Sequence, residues 1–208
     1  PLHFVQFWLD VIAEWEKENH QDVIVMLPGT KDVQDAILAD RRRSAVVDGI
    51  DVIQWQYRKD GSLYSPIGGQ SLAPRQYARI LDVGETSFEQ IHRAVAEFRR
   101  KYPEKAITYS RGGGKFAEWA VFLGGGSLTS LPPIKDRQFL EHALKMKPMV
   151  LGSNPPQQYV LGQKGTGYII FSEELSLSLN LGDDHGTYTL EWINPSSGEV
   201  ISSKQKVK

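Results

Sequence analysis

The feature that most constrains this chain is a change of texture at Pro148. Before it, helical stripes alternate with short apolar runs; after it, apolar and polar residues alternate one by one between glycine-rich turns. Apolar residues three and four apart mark helices, β-branched runs bounded by Pro and Gly mark buried strands, and period-two alternation marks half-exposed strands. Strands separated by helices are brought side by side by right-handed crossovers, so a repeated helix-strand order predicts a parallel sheet. The sequence therefore predicts an α/β part over residues 1–148 and a small antiparallel β-sandwich over 149–208, with the boundary among the prolines and glycines of 149–157.

Phe4, Phe7, Trp8, Val11, Ile12 and Trp15 open the chain on a helix that ends near Asn19, a start within structure that is expected of a segment of a longer polypeptide. Residues 22–27 predict a buried strand, Thr30 a cap, and 31–40 a helix with Val33, Ile37 and Leu38 inward. A strand over 49–57, a long loop over 58–84, a helical stripe of Phe88, Ile91, Val95 and Phe98, and a strand over 105–110 come next. A short helix through Phe116, Trp119, Ala120 and Leu123, a weak fourth strand over 127–131 and a helix over 136–146 complete the first part. Beyond Pro148, strands are expected at 158–163, 167–172, 175–180, 188–193 and 199–203.

Composition removes several function classes. Lys+Arg 24 against Asp+Glu 25 gives a net charge of −1, so no global field draws the chain to nucleic acid or to an anionic membrane. The absence of cysteine excludes a disulfide scaffold and thiolate chemistry. His3, His20, His92, His142 and His185 lack ligand spacing, so neither a metal nor a cofactor is expected. Gly112-Gly113-Gly114-Lys115 departs from a phosphate loop, with Tyr109 where the leading glycine belongs and Phe116 in place of Ser or Thr. Asp183-Asp184-His185-Gly186 reads as a turn in preference to a calcium loop, since Asp and Gly supply that geometry without an ion.

Open parallel sheets and barrels both gather their sites at the carboxyl ends of the strands. That rule selects Pro28 and Thr30; Gln54, Trp55, Gln56 and Tyr57; Tyr109, Ser110 and Arg111; and Thr129 and Ser130. Rings at such a rim stack on sugar faces, while amides and guanidinium groups hydrogen-bond sugar hydroxyls, which makes Gln54, Trp55, Tyr57, Tyr109, Ser110 and Arg111 the substrate-binding candidates. Trp55 has an equally open alternative, filling the space between sheet and helices. Glycosidic hydrolysis generally needs two carboxyl groups, and no pair emerges: Asp51 falls early in its expected strand, Glu118 belongs to a helix, and Asp48 precedes a strand.

DVIVMLPGTKDVQDAILAD, YSPIGGQSLAPRQYARI, ETSFEQIHRAV and AEWAVFLGGGSL together resemble the later half of bacterial glycoside hydrolases with a clan-A-like (β/α)₈ barrel. The closing EWINPSSG, with Trp192, Asn194, Pro195 and Gly198, resembles the β-sandwich that comes after such barrels, a type also called collagen-binding. The resemblance implies half of a TIM-type barrel joined to that sandwich, in a protein that is secreted or periplasmic when complete. It places Pro1 soon after the fourth barrel strand, so the acid/base glutamate of the family lies outside this sequence. It also makes 105–110 the seventh strand, whose end carries the family's nucleophilic glutamate; Ser110 and Arg111 stand there instead. The resemblance thus implies a glycoside hydrolase fragment inactive by itself, with the amino-terminal half or a second copy of the chain as partner. The competing expectation is a non-catalytic carbohydrate-binding or assembly module.

Overall fold

The computed structural model describes residues 1–65, 86–111, 115–134, 136–149, 158–174, 177, 180–181, 183–201 and 205–207. They form a mixed α/β protein with a three-stranded parallel sheet and separate antiparallel sheets, divided into two compact units. The first unit comprises Pro1–Ser87 and Phe98–Gly114, the second Phe88–Glu97 and Lys115–Lys208. The change of texture at Pro148 lies inside the second unit.

In the first unit, helix α1 (Leu2–Asn19) precedes strand β1 (Met26–Pro28), helix α2 (Lys31–Ala39), helix α3 (Arg41–Val46) and strand β2 (Gly49–Asp51). A 3-10 turn (Val52–Gln54) leads to a hairpin of β3 (Gln56–Tyr57) and β4 (Leu63–Tyr64). Helix α4 (Phe88–Lys101), whose residues up to Glu97 belong to the second unit, and strand β5 (Ala106–Thr108) come next in sequence. The parallel order is β1-β2-β5, with Leu27 beside Ile50 and Ile50 beside Ile107. These three side chains are buried with Val33, Ile37, Leu38 and Phe98, the inward faces that the apolar spacing marks. A Cβ at Gly49 would meet the end of the Met26 side chain and lie 3.3 Å from the Ala106 methyl, so a larger residue there requires the Met26 thioether to move aside.

Several expectations are corrected. The expected strand over 49–57 breaks after Asp51, because the Asp51 carboxylate accepts the Ile53 N–H at 3.0 Å and turns the chain into the 3-10 segment. Helix α3 was not expected; Asp40 caps it by accepting the backbone N–H groups of Arg42 and Arg43. Thr30 stands at the start of α2, but its hydroxyl makes no capping bond. Residues 127–131 form no strand, so the parallel sheet has three strands among the described residues and not four. Glycines 124–126 end the preceding helix there, and Leu128 adopts a left-handed φ of 55° that a pleated strand cannot use. Most of the loop expected at 58–84 lies outside the described residues, apart from the β3-β4 hairpin.

The apolar stripe of α1 is the side that stays exposed: Phe4, Phe7, Trp8, Val11 and Trp15 face solvent, whereas Leu9 is buried. The opposite side is tied down by charge. Arg42 and Arg43 of α3 donate to the Asp10 carboxylate at 2.6 and 2.8 Å, and the Arg43 hydrogen bond foremost holds Asp10 below its usual pKa. No helix among the described residues is long and apolar enough to cross a membrane.

In the second unit, helix α5 (Ala117–Leu123) and helix α6 (Arg137–Ala143) precede an antiparallel sheet of β6 (Lys147–Met149), β7 (Gln158–Gln163) and β8 (Gly167–Ser172). A further pair joins β9 (Tyr188–Leu190) to β10 (Gln205–Val207). The strands expected at 158–163 and 167–172 are present with those limits, while the one expected at 175–180 lies largely outside the described residues. The core here is aromatic. Phe88 stacks on Phe171 at 4.5 Å between ring centroids, and Tyr159 packs against both Phe88 and His92. Burial among these rings pushes His92 down to about 4 and raises Tyr159 to about 12. The Asp184 N–H donates to the Leu181 carbonyl at 3.2 Å, a turn at Asp183 within the stretch expected to turn. Asp184 accepts the Tyr168 and Tyr188 hydroxyls and the backbone N–H groups of Gly165 and Gly186, and the Tyr168 bond leads in holding the carboxyl far below its usual range.

Because His92 is depressed from 6.5 to about 4, its contribution to stability is present above pH 6.5 and is lost as the pH falls toward 4. Urea midpoints should therefore drop between pH 7 and pH 4.5, and His92→Phe should flatten that part of the profile. A wild-type midpoint that does not change over this range contradicts the neutral, buried imidazole. In the first unit, the Lys105 ammonium donates to the carbonyls of Ser44 and Val47 at 2.8 and 2.7 Å and is itself buried. Lys105→Met keeps the stem and strips the donors, so it should cost about 1–3 kcal/mol in urea denaturation.

Candidate functional site at the carboxyl end of the parallel sheet

Short parallel strands expose backbone carbonyls at their carboxyl ends, and each needs a partner if it is buried. Gln34 of α2, with no accessible surface, meets that need. Its amide nitrogen donates to the carbonyl of Leu27 at 3.0 Å and to that of Asp51 at 2.8 Å, and so bridges β1 and β2. Its amide oxygen accepts the Trp55 indole N–H at 2.7 Å, so every strong hydrogen-bonding direction of the carboxamide but one is used. Asp51 continues the clip: its carboxylate accepts the backbone N–H of Ser110 at 3.2 Å, joining the end of β2 to the segment after β5.

The candidates fall into two groups. Gln54, Ser110 and Arg111 are exposed and Tyr109 is half-buried, and the Asp51–Ser110 bond brings the segment from Tyr109 to Arg111 beside the turn that carries Gln54. Trp55 and Tyr57 are buried, so their assignment to an exposed rim gives way to packing. The Trp55 ring meets Phe98 edge to face with centroids 5.1 Å apart, and the Lys31 ammonium lies 5.4 Å from the indole centroid. The indole faces inward because its one polar group finds a buried acceptor in Gln34, which removes the cost of burying the N–H. Thr129 and Ser130 belong to the second unit and come after no strand.

Sequence reasoning did not single out Gln34 or Asp32 and set Asp51 aside. Gln34 carried a signal all the same, as an amide between Val33 and Ile37 on the inward face of an amphipathic helix. Asp32, in the first turn of α2, donates its backbone N–H to the Ser65 hydroxyl at 3.0 Å, and that hydroxyl donates to its carboxylate at 3.4 Å. The turn chemistry that ends β2 places Asp51 at the sheet's carboxyl end, where two backbone N–H groups occupy one of its oxygens. Among the described residues, no three His, Cys, Asp or Glu side chains are grouped to hold a metal ion.

A family model described as a domain of unknown function, DUF6298, matches residues 1–146. The chain belongs to the DUF6298 family. The matched region holds the whole parallel sheet and ends directly before β6, the first strand of the antiparallel sheet. No curated protein and no solved structure matches the chain.

Gln34→Leu strips the amide donors from the Leu27 and Asp51 carbonyls and leaves the buried indole N–H without its acceptor, and should cost roughly 2–4 kcal/mol in urea denaturation. The Trp55 emission should shift as well. A loss below about 0.5 kcal/mol, the scale of an ordinary surface substitution, contradicts this role for the clip.

Proposed function

We propose that the α/β part of this DUF6298 chain is a segment of a glycoside-hydrolase-like (β/α) barrel whose strand-end rim binds carbohydrate, without turnover of its own. The observation that carries the reading is the Asp51–Ser110 bond, which sets exposed Arg111, Ser110 and Gln54 around adjoining strand ends. Guanidinium, hydroxyl and amide groups offer the donors and acceptors that sugar hydroxyls require, and half-buried Tyr109 offers an apolar surface next to them. The partial-barrel reading draws on α1 and β1. The aromatic stripe of α1 is exposed, and among the described residues β1 pairs on one side only, as in a layer that continues into another strand and helix. The amino-terminal half of such a barrel, or a second copy of the chain, supplies that continuation. The two antiparallel sheets of the second unit are the accessory sandwich in this reading.

The inactivity stems from the carboxylates. Asp51 is engaged by backbone N–H groups, and the seventh-strand position carries Ser110 and Arg111, neither of which serves as a carboxylate nucleophile. The second reading, a non-catalytic binding module, rests on this same absence.

A glycan array of plant and bacterial oligosaccharides tests the proposal. Wild type should retain a subset, and Arg111→Ala should weaken retention about tenfold with an unchanged melting temperature, as fits an exposed charge-assisted contact. Hydrolysis of the retained glycans should be undetectable. Turnover by this chain, or failure to retain any glycan, would each remove one half of the proposal.

A further inference from the structure

Helix α1 carries its largest side chains on the side that a lone chain leaves in water. Phe4, Trp8, Val11 and Trp15 recur at intervals of four, three and four residues, the spacing with which one α-helix seats on another. Phe7 widens the seam, and the Trp8 ring meets Phe4 and Phe7 edge to face at 6.3 and 5.5 Å between centroids. These four rings are between 42% and 68% exposed. The helix is not free to roll them inward, because Leu9 is buried on another side and Asp10 is held by Arg42 and Arg43 of α3.

Area and charge together select the occupant. Rings of about 150–250 Å² exposed to this degree leave roughly 450 Å² of apolar surface, a patch of the size that generally marks an interaction site. Two such faces pressed together with their flanking residues remove about 1,000 Å² from water, the threshold of a specific interface. Charge sets the direction. The first turn of α1 has no acidic residue, whereas exposed Glu14 and Glu18 lie toward its carboxyl end on the side of the stripe, with Lys17 the basic residue of the last turn. That order of carboxylates opposes the helix's own dipole. An antiparallel second copy reverses it: Glu14 and Glu18 of each copy come to the positive, amino-terminal end of the other's helix. The seam then meets itself, Phe4 against Trp15 and Trp8 against Val11. Parallel pairing sets the acidic ends side by side, and the same acidic end disfavours an anionic bilayer surface.

We propose that the exposed stripe of α1 is a two-fold homodimer interface in which α1 packs antiparallel on α1 of a second copy. A two-fold axis makes one stripe complementary to itself, so the assembly closes at two chains. The inference rests on the continuing layer of the barrel-segment reading and commits to one of its two partners; carbohydrate binding plays no part in it.

Sedimentation equilibrium of the 208-residue chain over about 1–100 μM tests it. Wild type should be a monomer-dimer mixture, since an interface of threshold size belongs with micromolar association. Trp8→Glu puts a charge at the centre of both seams and should weaken dimerisation at least about thirtyfold, the scale of one central aromatic. Its circular-dichroism spectrum should match wild type, because Trp8 is only half-buried. The chain has no cysteine, so direction can be read from single-cysteine variants. On oxidation, mixed Phe4→Cys and Trp15→Cys chains should cross-link unlike to unlike; like-to-like pairs overturn the antiparallel packing. Wild type that stays monomeric throughout, or a Trp8→Glu chain that dimerises as wild type does, overturns the interface. So does co-sedimentation of wild type with phosphatidylcholine vesicles in place of self-association, which makes the stripe a lipid-binding face. A monomer that retains glycans removes the dimer alone, and a dimer that retains none removes the carbohydrate rim alone.

Discussion

The first unit depends on satisfying the carbonyls where its strands end. Three strands of three residues each make few ladder bonds, so their ends are a large share of the sheet. One carboxamide, Gln34, bridges two of those ends and receives the indole of Trp55, which in turn packs on Phe98. A buried amide is stabilising only when nearly all its bonds are made, and here the helix, two strands and the segment after the 3-10 turn converge on it. The inner side of the strand ends is consequently tied together by one side chain.

Asp51 shows how one residue can set both local and tertiary structure. Its carboxylate ends β2 by accepting the Ile53 N–H and holds the segment after β5 by accepting that of Ser110. The first bond is local and turns the chain; the second is made 59 residues away and sets strand ends side by side. One carboxylate oxygen thus serves the local turn and the strand ends at once.

The second unit solves the burial problem differently. Its rings pack around His92, whose imidazole is kept neutral by burial, and its stretch 183–186 is organised by Asp184 with two tyrosine hydroxyls. Both arrangements favour neutral or basic conditions, the first through a histidine that must not be charged and the second through a carboxylate that must be.

The helix faces and most strand positions were legible in the sequence because they derive from periodicity. Val33, Ile37, Leu38, Ile91, Val95 and Phe98 mark their own inward sides, and β7 and β8 mark theirs by alternation. The break after Asp51, the capping of α3 by Asp40 and the fate of Thr30 were not legible, because a short polar side chain has several backbone partners within reach and only the folded geometry selects among them. The candidate site divides along the same line. That residues after β2 and β5 would gather at one end of the sheet is a consequence of the parallel order of the strands. Whether Trp55 faces a ligand or the core was decided by an acceptor placed on another element, and no pattern of residues along the chain can report what lies across a tertiary contact.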